Sequence, residues 1–236
     1  MNQTPVDRRS AIRTLAIGGV AVLVSPGPAV LAAEVEVSKV PAAVREAADR
    51  LFKGARWAAA HKGKTTFELE GKDTGGRAVS IEATADGKVR GAERQISVKD
   101  VPAGVMRAVT DRFPKFAADA VYEVFSGTDI RDLSKAELAY EFEGAVGKRD
   151  ESVVTVSAEG KILAVELEIE LKAVPKAVAD ALKKAEPKFR PHSVHKIEEG
   201  GVSGYLFAGD FRKEKRETVV FVSADGKDVE THADDE

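Results

Sequence analysis

Val40-Pro41-Ala42-Ala43-Val44, Val101-Pro102-Ala103-Gly104-Val105 and Val174-Pro175-Lys176-Ala177-Val178 are one short phrase written three times. Each opens a run with helical periodicity. Proline is favoured at the first helical position, where its missing N–H costs nothing and its fixed φ suits the helix, so each phrase is read as the start of a helix of about four turns. The apolar spacing gives each helix one buried stripe: Val44, Ala47, Ala48 and Leu51; Val105, Ala108, Val109 and Phe113; Val178, Ala181, Leu182 and Ala185. The stops are related too, at Phe52-Lys53-Gly54, Phe113-Pro114-Lys115 and Glu186-Pro187-Lys188, where glycine or proline ends the helix.

Two further anchors follow each phrase. The first is Phe67-Glu68-Leu69-Glu70-Gly71, Tyr140-Glu141-Phe142-Glu143-Gly144 and Tyr205-Leu206-Phe207-Ala208-Gly209, with the period-two alternation of a half-buried strand ending at a turn. The second is Ala85-Asp86-Gly87-Lys88, Ala158-Glu159-Gly160-Lys161 and Ala224-Asp225-Gly226-Lys227, where glycine supplies the positive φ of a hairpin turn. Phe67 to Gly87, Tyr140 to Gly160 and Tyr205 to Gly226 are separated by 20, 20 and 21 residues, a regularity that marks the three stretches as copies. The middle copy is longer between its proline and its aromatic residue. The excess falls in 125–135, which is read as a loop at one end of the sheet.

The expected fold class is therefore α+β: three tandem repeats, each one helix packed on a four-stranded antiparallel sheet. A short strand is expected after each helix (Trp57–Ala60, Val121–Phe125, Val194–Ile197), then the aromatic strand, then two strands flanking the Gly-Lys turn. The boundaries are 34–100, 101–173 and 174–236. A lone unit of about 65 residues buries too little surface to be stable alone, so neighbouring units are expected to pack or pair edges.

Residues 1–33 are read as an export signal. A basic start (Arg8, Arg9, Arg13) leads into an apolar stretch, Leu15 to Val24, and a small-residue exit, Ala29-Val30-Leu31-Ala32-Ala33. The apolar stretch is about half the ~20 residues a membrane-crossing helix needs, and Ser25-Pro26-Gly27-Pro28 breaks it, which argues against a permanent anchor. Arg8-Arg9 with Ile12 and Arg13 resembles a twin-arginine export signal, although Asp7 and Ala11 depart from that pattern and leave the general secretory route open. An exported chain, periplasmic or secreted, follows from either route.

The 236 residues are 43% hydrophobic and 32% charged, enough to bury a core. Net charge is −3, and the chain after Ala33 stands at −5 once Arg8, Arg9 and Arg13 are set against Asp7. That acidity argues against nucleic acid as a partner. With no cysteine, disulfides, zinc-thiolate sites and thiol nucleophiles are excluded.

Val-Pro before a helix, a Pro-Lys stop, an aromatic-rich strand and an Ala-Asp-Gly-Lys turn together resemble PepSY-like domains, a family related in fold to the β-lactamase inhibitor protein. The likeness runs from Val40 to about His232. It implies an exported or envelope protein that inhibits or modulates an enzyme by binding it with an open sheet face, with no catalytic residues and no cofactor.

The candidate binding face is acidic. Glu166, Glu168 and Glu170 alternate with Val165, Leu167, Ile169 and Leu171, while Glu68, Glu70, Glu141 and Glu143 take the outward phase of their strands. A protein partner is the leading reading and cation binding or sensing on this face the alternative. The third copy differs: Leu206 and Ala208 replace the outward glutamates and Val219-Val220-Phe221-Val222 is apolar in both phases, so that sheet is expected to be covered on both sides. His192 and His195 are read as surface residues at a strand entry, Trp57 as core filling, and 230–236 as a solvated tail. The four histidines occupy no matching positions and no Gly-x-Ser-x-Gly elbow occurs, which leaves no hydrolase site to nominate.

Overall fold

A computed structural model of the chain describes residues 13–17, 20–24, 33–146, 149–211 and 217–232. Two short strands, β1 (Arg13–Ile17) and β2 (Val20–Val24), pair with each other. The rest of the export-signal reading, including Arg8, Arg9 and the small-residue exit before Ala33, lies outside the described residues. Then come β3 (Ala33–Glu34), α1 (Ala42–Leu51), β4 (Arg56–Lys62), β5 (Thr66–Lys72), β6 (Ala78–Thr84), β7 (Val89–Ile96), α2 (Ala103–Arg112), β8 (Phe116–Ser126), β9 (Glu137–Val146), β10 (Arg149–Ser157), β11 (Ile162–Glu168), α3 (Lys176–Ala185), β12 (Phe189–Glu199), β13 (Val202–Phe211), β14 (Glu217–Ser223) and β15 (Val229–His232).

The expectation of three helix-on-four-strand sheets is overturned. β3 to β15 form one antiparallel sheet of 13 strands in chain order. The reason is edge chemistry: an uncovered strand presents a row of unpaired N–H and C=O groups, and the chain satisfies them with its own next strand. β7 pairs with β8 from Gly91↔Ser126 to Ile96↔Val121, and β11 with β12 from Ala164↔Glu199 to Glu168↔His195. The sheet dominates, and each helix has 10 residues, roughly three turns rather than four.

Each Val-Pro phrase does precede a helix, but the proline sits one position earlier than expected. Pro41, Pro102 and Pro175 have ψ of 139, 137 and 140°, outside the helical range, and their carbonyls accept the first helical N–H bonds. They are N-cap residues, where an absent N–H is equally free of cost. The helices then cover a single face of the sheet. Val44, Ala47 and Ala48 pack on Leu69, Ile81 and Ala92; Val105 and Val109 on Val121, Phe142 and Val154; Val178 and Leu182 on Val194, Phe207 and Val220. Cross-strand pairs join these sets through Ala92↔Phe125, Val121↔Phe142, Val154↔Val165 and Val194↔Phe207, which places all three cores on one side.

The glycine of the aromatic motif does not end a strand, as the sequence suggested; β5, β9 and β13 run past it. Opposite it the partner strand bulges, with the register slipping between Trp57 and Ala59, Ala118 and Ala120, and Pro191 and Ser193. A Cβ on Gly144 would lie 2.0 Å from the Ala117 carbonyl oxygen, so only glycine fits against the bulge. At the hairpins, Gly87 adopts φ 82° and packs so closely on α1 that a Cβ would meet the Ala43 carbonyl oxygen at 2.6 Å.

The long stretch 127–136 is a plug rather than a free loop. Ile130 is buried in the α1 core with Leu133 beside it, held there as the Ile130 N–H donates to the Val89 carbonyl at 2.9 Å and the Arg90 guanidinium to the Thr128 carbonyl at 2.8 Å.

Candidate functional site

Period-two alternation sends the residues between the core positions to the opposite, helix-free face. Register puts Glu68 beside Glu82 and His61, Glu70 beside Ser80, Glu93 beside Ser80 and Val124, Glu141 beside Tyr122 and Thr155, and Glu143 and Glu166 on either side of Val153. Six of the seven expected glutamates share this face. Glu170 does not: β11 ends at Glu168, and Glu170 leads an exposed 3-10 turn, Leu171–Ala173, where it pairs with Lys172 at 2.7 Å. Leu171, expected to face the helix, is 41% exposed.

The face is less open than the pattern implies. Glu68 and Glu166 are buried, and Glu70, Glu82, Glu93, Glu141 and Glu143 are half-buried. Glu82 and Glu93 are members that the pattern reading missed. Glu82 alternates with Val79, Ile81 and Ala83 and was legible in outline, whereas Glu93 lies in Val89-Arg90-Gly91-Ala92-Glu93-Arg94, where small and charged residues blur the period. Glu93 is nonetheless the electrostatic centre. Burial raises its carboxyl pKa well above the usual range, the charges of Glu141, Glu68 and Glu143 raise it further, and a 3.4 Å hydrogen bond from the Ser80 hydroxyl partly offsets them.

Toward β12 the character of the face changes. His195, expected at the surface, is buried, with its Nδ1 2.9 Å from Glu166 Oε1. His192, three residues earlier at the bulge, is exposed, so the two histidines share no site. Beyond them Ile197, Leu206, Val219 and Phe221 form a buried apolar cluster on the helix-free side, while Tyr205, Phe207, Val220 and Val222 fill the α3 core. Side chains on both faces of this part of the sheet are thus buried.

On the helix side, ion pairs bridge the seams between helix-bearing segments. Arg94 Nε lies 2.8 Å from Glu123 Oε2 across β7 and β8. Arg112 at the end of α2 reaches Glu198 of β12 at 3.3 Å, and Lys196 reaches the same carboxylate at 2.7 Å, holding it below the usual carboxylate range.

Trp57 is half-buried against the α1 core. Its indole N–H donates to Asp49 Oδ1 at 2.9 Å, and its ring meets Phe52 edge-on, 6.3 Å between centroids. Among the described residues no three His, Asp or Glu side chains converge as metal ligands would. No described helix is long and apolar enough to cross a membrane.

No protein-family model matches the chain, and no curated protein matches it in sequence. Solved structures share part of its shape. A provisionally periplasmic protein of Bacteroides eggerthii is similar at 16% identity, over 53% of this chain and 87% of its own, with a TM-score of 0.42. A BLIP-like protein of Bacteroides fragilis is similar at 16% identity, over 52% and 83%, with a TM-score of 0.39. The C-terminal domain of YpeB from Bacillus megaterium is similar at 16% identity over 85% and 99%, with a TM-score of 0.21. At TM-scores this low the likenesses carry no argument about fold or task.

Proposed function

We propose that this is an exported, non-enzymatic module that binds a protein partner through the helix-free face of its sheet. The observation that carries the reading is the one-sided placement of the helices. All three lie on one face, and the other carries half-buried carboxylates over β5 to β9 and, over β12 to β14, an apolar cluster that is itself buried. Carboxylates crowded on one face repel one another at a cost that a cationic partner would relieve. Export rests on the leader pattern of 1–33. Inhibition or modulation of an envelope or secreted enzyme, the finer reading, rests on the resemblance to PepSY-like domains. The cation-binding alternative draws no support from the arrangement of donors among the described residues.

The test is a photo-crosslinking amino acid placed at Glu82 or Glu141 on the helix-free face and, as the control, at Asp180 on α3. One dominant protein adduct from both face positions and none from Asp180 is the expected result in native envelope. Adducts from all three alike, or only self-adducts from the face, defeat the reading.

A further inference from the structure

Separate from that face, the structure offers a notch at the first edge of the sheet. β3 pairs with β4 only at Ala33↔Lys62 and Glu34↔His61, and its last contact is the Val35 N–H donating to the Ala60 carbonyl at 2.9 Å. The chain then leaves through the 3-10 turn Val37–Lys39. β4 begins at Arg56, and among the described residues no strand pairs with its outer backbone edge over 56–59; an open groove lies along it between Val35, Val37, Trp57 and Ala59. Trp57 is held at the groove by its bond to Asp49 and its contact with Phe52, a pre-set aromatic wall. The charged side chains lining the groove are Glu34 and Glu36; the one ion pair there among the described residues, Lys39 to Glu36 at 3.6 Å, joins two side chains about 70% exposed and holds the carboxylate weakly.

We propose that this notch takes an extended, lysine-bearing segment of a partner protein as an added strand beside β4. An uncovered strand edge is satisfied by another strand, whose alternate side chains enter the flanking pockets. The apolar wall takes a branched aliphatic side chain, and the two glutamates select a cation beside it. The bulge at Ala58 bends β4 and keeps the added strand short, so affinity comes from the notch rather than from a long ladder.

The full chain holds a single tryptophan, Trp57, so its emission reports on this notch. The probe is a short synthetic peptide of alternating valine and lysine. A saturable change in Trp57 emission is expected, with binding weakened about tenfold or more in an otherwise identical valine-glutamate peptide, in the lysine peptide carrying alternate N-methylated backbone nitrogens, and in the variant Glu34→Lys, Glu36→Lys. No saturable change, or equal binding of the N-methylated peptide, overturns strand addition. Equal binding of the glutamate peptide, or of the lysine peptide to the double variant, overturns the charge selection. Both substituted glutamates are exposed, so the double variant keeps the fold, and unchanged circular dichroism verifies this.

Discussion

Gly144 faces the Ala117 carbonyl oxygen at a distance no side chain tolerates, whereas Gly104, in the first turn of α2, has nothing within 4 Å of where a Cβ would be. Gly144→Ala should therefore cost on the order of 3 kcal/mol in urea unfolding, through a forced backbone shift at the bulge. Gly104→Ala should stabilise the protein by roughly 0.5–1 kcal/mol, because alanine loses less backbone entropy in a helix. Glu93 makes the second residue-scale prediction. Its folded pKa is raised, so the folded state holds the proton more tightly than the unfolded chain; its contribution to stability is present at low pH and is lost as pH rises from the ordinary carboxylate range toward the folded value. Glu93→Gln should raise the urea midpoint, more at pH 8 than at pH 5. An equal gain at both pH values would assign the effect to packing instead of charge.

Ile130 closes the α1 core from a stretch that composition alone marks as a loop, and truncating it leaves a cavity. Ile130→Ala should cost about 2–4 kcal/mol. Its exposed neighbour Arg131, paired with Asp129 at 2.8 Å, should cost about 0–1 kcal/mol on substitution by alanine. The helix starts and hairpin turns were legible because Val-Pro and Asp-Gly-Lys act through local chemistry that a few adjacent residues carry. The face assignments of Glu68, Glu70, Glu141, Glu143, Glu166 and Glu168 were legible for the same reason, since period two is local. The seams were not. What joins β7 to β8 is backbone hydrogen bonding, which every residue but proline offers, so it leaves no trace in residue type. The burial of His195 escaped likewise, because it depends on Glu166 of β11 and Leu206 of β13, distant in the chain.

Across the whole molecule, one sheet replaces three, and its interior seams protect edges that would otherwise be open. A chain ending at Ala173 would leave the apolar edge strand β11, Ile162–Glu168, without the cover of β12. Such a truncation should self-associate at concentrations where the full chain does not, as sedimentation velocity would show; equal behaviour would mean that the edge is harmless. The order of the strands carries a further consequence, for the time course of folding. Every strand from β4 onward bonds the one synthesised just before it, and even the pairing that spans α2 joins Gly91 to a partner no further along the chain than Ser126. No pairing waits for the distant C-terminus, the loops to be closed are short, and folding should be rapid for so large a sheet. A chain emerging amino-terminus first through a narrow translocation pore can thus settle strand upon strand as it arrives, with the first edge and the newest the two left open at any moment.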